Sequence, residues 1–156
     1  MSTFRSFGLG LLAGVVVTAG GMMLAAPSLM LRVQTSPHSV EQTTAMIKER
    51  AEAAGWVVSS ITPLDQSIVK NGGAQLPSIR LVNMCQADHA SRVLADEKDR
   101  LVSVLMPCTV AVYEDDQGAT RISTMNAGLM GRLFGGAVAE VMAGPVARDQ
   151  AAFTKF

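Results

Sequence analysis

Two cysteines and two histidines are all that the 156-residue chain has of either type, and three of those four residues fall close together. They stand in Met84-Cys85-Gln86-Ala87-Asp88-His89 and in Met106-Pro107-Cys108. Cys85 closes a predicted strand and a predicted helix follows it, so His89, four residues on, returns over the same side. Cys108 lies on another predicted strand that can run alongside. Three chemistries are open to this set. In an oxidising compartment a Cys85–Cys108 disulfide would close a loop of about 24 residues and stabilise by ~3 kcal/mol. As free thiols the two would act as small buried hydrophobes, Cys108 on the apolar face of its strand. As ligands, Cys85, His89 and Cys108, joined by Met84 or Met106, would hold a soft ion such as copper(I), a haem or a sulfur species. The spacing matches no fixed metal motif and does not choose among the three.

Other chemistry is hard to build from this chain. It has no P-loop, no G-x-G-x-x-G, no G-x-S-x-G, no H-E-x-x-H and no C-x-x-C. These absences argue against the familiar hydrolases, kinases and dinucleotide enzymes. No catalytic residue is assigned, and binding rather than catalysis is the expectation. His38 precedes a helix cap and is expected to be exposed. Trp56 reads as core. Asp115 and Asp116 read as turn residues, because neighbours on a turn do not face one substrate. Lys plus Arg and Asp plus Glu are 13 each, giving zero formal charge. That excludes the basic excess of a nucleic-acid binder and the charge imbalance of a disordered chain.

The elements that must position the cluster begin beyond an N-terminal segment of different composition. No charged residue lies between Arg5 and Arg32. A helix over Phe7 to Ala26 would be about 30 Å long, roughly the hydrocarbon thickness of a bilayer. A cleaved export signal shares the basic start and apolar run. The run is longer than an ordinary signal core, and Leu24-Ala25-Ala26-Pro27 lacks a small-x-small cleavage pattern. The expectation is therefore an uncleaved transmembrane anchor over residues 1–28 and a globular domain over 29–156. Gly10, Gly14 and Thr18 share one helix face and form a candidate helix-pairing stripe. The flanking charges are too few to fix orientation. Likeness to an export signal favours a bacterial inner-membrane protein with its domain in the periplasm.

In the globular part, Leu29 to Thr35 reads as a strand. Ser39 is a candidate N-cap with Gln42 as its capping-box partner, and Gly55 ends the helix that follows. Trp56 to Ile61 and Ile79 to Cys85 read as strands, with a loop from Pro63 to Pro77 between them that holds further strand residues near Ile68 and Val69. Gln86 to Asp96 reads as a short helix and Asp96 to Arg100 as a solvated turn. Leu101 to Glu114 gives the strongest strand signal, with Val102, Val104, Met106, Cys108, Val110 and Val112 alternating on one face. Pro107 places that strand at an edge or a bulge. Asp115-Asp116-Gln117-Gly118 is a hairpin turn into Thr120–Met125. From Asn126 the apolar residues recur at helical spacing up to a break or kink at Gly144-Pro145. Strands clustered between helices indicate an α+β fold, a mainly antiparallel sheet with helices on one face.

These residues resemble a known family. Ser39-Val40-Glu41-Gln42-Thr43, Gly55-Trp56, Leu81-Val82-Asn83-Met84-Cys85, Leu105 to Glu114 and Asp116-Gln117-Gly118 resemble the domain of unknown function DUF302 over roughly Val33 to Phe153. The most specific part is the Pro107-Cys108 strand leading to Val112-Tyr113-Glu114. The resemblance implies a compact α+β domain with an antiparallel sheet, and a homodimer. It places Cys85, His89 and Cys108 where one branch of the family carries Cys or polar residues. Other branches have an Asn-Pro-Lys-type segment where this chain has Cys85-Gln86-Ala87-Asp88. It implies no agreed activity. The residues and the resemblance together lead to a membrane-anchored extracytoplasmic binding or redox module. The alternative is a non-catalytic accessory subunit of an inner-membrane respiratory or sulfur-oxidising complex.

Overall fold

The computed structural model describes residues 28–156 continuously, and before them only Gly14, Thr18, Gly20, Gly21 and Ala26. It divides into two units, Met1–Met30 and Leu31–Phe156. In the first, each described residue is helical. No helix of the described residues is long and apolar enough to cross a membrane. Most of the expected anchor, Gly10 included, lies outside the described residues.

The second unit is an α+β fold with one five-stranded antiparallel sheet. Its strands are β1 (Leu31–Thr35), β2 (Val57–Pro63), β3 (Ile79–Cys85), β4 (Cys108–Glu114) and β5 (Thr120–Met125), in the order β1-β5-β4-β3-β2. Its helices are α1 (Val40–Ala53), α2 (Leu64–Lys70), α3 (Ala87–Leu94), α4 (Ala127–Phe134), α5 (Gly136–Val141) and α6 (Ala147–Phe153), with a 3₁₀ helix over Glu97–Leu105 and a π-turn over Met142–Val146. Register explains where the core lies. Val82 pairs with Val110, and Val112 with Ile122, so these valines and Ile122 share one face of the sheet. All four are buried, against Val40, Ile47 and Ala51 of α1 and Val138 and Val141 of α5. Edge strand β1 is exposed along its whole length.

Local chemistry accounts for the helix ends. Ser39 Oγ accepts from the Gln42 N–H at 3.2 Å, and the Ser39 N–H donates to Gln42 Oε1 at 3.4 Å. This reciprocal pair satisfies two of the free donors at the start of α1. Gly55 follows the helix at φ +81°, a conformation open to a residue without a Cβ.

Four expectations are corrected. The segment 101–105 belongs to a 3₁₀ helix, capped by Asp96 Oδ1 accepting from the Lys98 N–H at 3.2 Å. Val102 is 2% exposed and Val104 84%, so the two valines do not share an environment. In a three-residue repeat Val102 instead shares a side with Leu105. Pro107, with no N–H, sits just before β4, which is the central strand and not an edge. The expected loop after Pro63 begins with helix α2, whose Asp65 is held at 2.6 Å by Arg80 of β3. Finally, the C-terminal helix breaks at Gly135 and Gly136, at φ +72° and +51°, while Pro145 is absorbed in the π-turn that runs into α6.

Candidate functional site: a dithiol pocket

Strands β3 and β4 bring the two cysteines to one end of the sheet. Met84 stands opposite Cys108, so Cys85, one residue further, lies beside the start of β4. The chain then turns at once into α3. Gln86 caps that helix, its side-chain oxygen accepting from the His89 N–H at 2.7 Å. This cap fixes the first turn and carries His89 back over the strand end.

Cys85, Cys108 and His89 all line one pocket. Its other walls include Trp56, Val93, Val102, Leu105, Met106 and Met142. The pocket is partly open, and its volume is about 30 Å³, on a scale where one water needs about 10–15 Å³. Both cysteines are free thiols and half-buried. Burial, and secondly the neighbouring Cys85 sulfur, push the Cys108 thiol up to about 11, so at neutral pH it is protonated. The pair can give up protons to a soft ligand, or electrons to an oxidant. It can equally remain as packed thiols.

His89 has an organised surrounding. Its Nε2 lies 3.8 Å from Asp149 Oδ2, and its ring stands edge-on to Trp56 with centroids 5.9 Å apart. The same Asp149 oxygen accepts from the Trp56 indole N–H at 3.2 Å. Asp149 Oδ1 accepts from Arg148 Nε at 3.3 Å. Trp56 is also edge-on to Phe153, at 5.6 Å between centroids. A carboxylate on α6 thus ties the imidazole to the indole that walls the pocket. Asp149 was not singled out in the sequence. It lies 60 residues from His89 and in no motif, and only the docking of α6 brings it in.

The sequence-derived ligand set is gathered in part. Cys85, His89 and Cys108 share the pocket, and Met106 joins them. Met84 is 1% exposed in the core and borders a neighbouring crevice that also reaches Cys108. Among the described residues no group of three or more His, Cys, Asp or Glu is arranged to hold a metal ion. A cation in this pocket would therefore take its sulfurs from Cys85 and Cys108, with the thioethers of Met106 and Met142 within the same walls. A soft monovalent ion suits that donor set.

The remaining candidates have structural settings. His38 is exposed and edge-on to Phe156 at 5.9 Å. Asp115 organises its hairpin: Oδ1 accepts from the Gln117 and Ala119 N–H groups at 3.0 and 2.9 Å, and Oδ2 pairs with Arg121 at 2.6 Å. On the first unit, the Thr18 hydroxyl donates to the Gly14 carbonyl at 2.8 Å, and a Cβ added to Gly14 would meet nothing within 4 Å.

The family model of the domain of unknown function DUF302 matches residues 32–153. The chain belongs to the DUF302 family. The DUF302 match starts within β1 and ends at the last residue of α6, so it takes in both cysteines, His89 and Asp149. A similar fold is found in the crystal structure of an uncharacterized conserved DUF302 protein from Bacillus stearothermophilus. The TM-score is 0.71 at 20% identity, over 81% of this chain and 96% of that one. No curated protein matches the chain. DUF302 membership fixes the fold and assigns no chemistry to the pocket.

Proposed function

We propose that this DUF302 domain is a membrane-anchored, extracytoplasmic module that binds a soft, thiophilic ligand through Cys85 and Cys108. One observation carries the reading: the chain's only two cysteines line the same apolar pocket, with an imidazole in its wall. Soft sulfur donors and dry walls favour a weakly hydrated monovalent cation such as copper(I) over hard divalent ions. Binding would displace thiol protons. His89, tied to Asp149, lines the same pocket. The charge-free run between Arg5 and Arg32 supports the anchor.

Oxidation is the same site's other state. An external disulfide, itself reduced to two thiols, would take two electrons and two protons from the pair and join Cys85 to Cys108. The free-thiol form is the binding form.

The test is metal analysis of the full chain purified under reducing conditions, beside a Cys85→Ser, Cys108→Ser double variant. The expected result is copper in the wild type and its loss in the variant. Equal metal content in both would overturn the reading.

A second reading, as an accessory subunit or a homodimer, is favoured by apolar side chains left in solvent. Leu133 and Phe134 at the end of α4 are 70% and 43% exposed, and Leu101 on the 3₁₀ helix is 66% exposed. Single exposed apolar side chains are ordinary, whereas Leu133 and Phe134 are adjacent and together are the kind of surface a partner would cover. Native mass analysis in mild detergent decides it: a complex supports this reading, and a bare monomer at native expression counts against it.

A further inference from the structure

Cys108 has a second open side. Beyond Leu105 lies a cleft of about 220 Å³, bordered by Leu105, Pro107, Cys108, Thr109, Met125 and Gln150 among others. Leu105 and Cys108 belong to the walls of both spaces. On the scale where one water needs about 10–15 Å³, this cleft has room for a small organic molecule. None of its lining residues is charged at neutral pH, since its one titratable group is the protonated Cys108 thiol.

Gln150 of α6 is the unexplained residue. It is only 9% exposed, and it borders both the cleft and the crevice beside Met84. Its side-chain amide makes no hydrogen bond among the described residues, although Thr154 and its own helix engage its backbone carbonyl. Neither the amide oxygen nor the amide nitrogen is fully buried, so both keep access to solvent where Gln150 borders the cleft. Thr109 is different, because its hydroxyl donates to Asn83 Oδ1 at 2.8 Å and keeps only accepting capacity for anything else.

We propose that this cleft is a binding site for a small uncharged molecule with an amide or comparable donor–acceptor group and an apolar body. An amide answers the Gln150 carbonyl with a donor and the Gln150 NH₂ with an acceptor. Leu105, Pro107 and Met125 receive the apolar part. A charged ligand would be desolvated with no counter-charge to meet it. The occupant rests against the Cys108 sulfur, which makes that thiol a reporter of the site.

The experiment uses the full chain carrying Cys85→Ser, so that Cys108 is the only thiol. Alkylation rates with iodoacetamide and iodoacetate are compared in the folded protein and in urea. The unfolded chain supplies the intrinsic difference between the reagents. In both cases the new S–C bond forms as iodide and the thiol proton leave. The folded protein is expected to favour the amide reagent by a further roughly 2- to 10-fold, the range of one neutral hydrogen bond. Adding Gln150→Leu is expected to remove that preference while the near-ultraviolet spectrum stays native. An equal reagent ratio in folded and unfolded chains would overturn the proposal. So would a folded Leu variant that keeps the preference. If the Leu variant fails to fold, competition decides. Millimolar N-methylacetamide is expected to slow iodoacetamide labelling of the folded Cys85→Ser protein only, and absence of protection would overturn the proposal.

Discussion

Trp56 and Asp149, 93 residues apart, are joined by a hydrogen bond of 3.2 Å from the indole N–H to Oδ2. That bond does two things. It satisfies the single donor of a tryptophan that is 4% exposed, and it holds the carboxylate 3.8 Å from His89 Nε2. The pocket wall, the imidazole and the C-terminal helix are therefore one unit. Asp149→Ala should destabilise the domain by about 1–3 kcal/mol, because it leaves the buried indole donor unpaired. Asp149→Asn, which keeps an acceptor, should cost less. Urea unfolding followed by the emission of the chain's one tryptophan measures both. Equal stability of the Ala variant and the wild type would contradict this role.

The Cys108 thiol makes stability depend on pH in a definite direction. Folding raises it from 9.0 to about 11, mainly by burial. The unfolded chain therefore loses this proton first, and stability falls as pH rises between the two values. The contribution is whole below pH ~9 and gone above ~11, about 2–3 kcal/mol in all. The difference between wild type and Cys108→Ala isolates it from other alkaline titrations. That difference should shrink steadily from pH 8 to 11, and a constant offset across the range would refute the assignment.

Gly131 gives a prediction opposite to helix propensity. Replacing an exposed helical glycine by alanine stabilises by ~1 kcal/mol. A Cβ at Gly131 would lie 2.8 Å from Met142 Cβ and 3.1 Å from the Ala143 nitrogen. Relieving that overlap means moving the π-turn off α4, at about 1–3 kcal/mol. Gly131→Ala should therefore lower the melting temperature, and a rise would show that the turn yields freely.

Arg80 is held between two carboxylates. Its Nη1 lies 2.6 Å from Asp65 Oδ1 and its Nη2 3.4 Å from Glu41 Oε1, with 16% of the side chain exposed. Asp65→Ala leaves a largely buried guanidinium with the weaker partner alone. The expected cost is about 1.5–3 kcal/mol, the worth of a hydrogen bond to a charged group. Glu41→Ala should cost well under half of that, since Glu41 is 64% exposed. A larger effect at Glu41 than at Asp65 in chemical denaturation would reverse this ranking.

What could be read in advance followed the range of the interactions. The α1 cap, the glycine stop at Gly55 and the Asp115–Gly118 hairpin are set by residues within four positions of one another. Strands β3 and β5 declare themselves by composition. The 97–105 segment misleads because Val102, Val104 and Met106 imitate strand alternation. There the capping Asp96 and the missing donor of Pro107 prevail. Helix α2 hides behind Pro63, and it needs the Asp65–Arg80 pair across the fold to make sense. The site divides along the same line. Cys85 and His89 are one cap apart, and Cys108 follows from pairing β4 with β3. Asp149 and Gln150 enter only through the packing of α6, which no local pattern announces.

The central claim is that Cys85 and Cys108 act together on a soft ligand. Its most direct test is an anaerobic copper(I) titration of the fully reduced chain against a chromophoric chelator. The account predicts one tightly held equivalent per chain, lost in the Cys85→Ser, Cys108→Ser double variant and weakened in either single variant. Equal uptake by the double variant, or none by the reduced wild type, would contradict it.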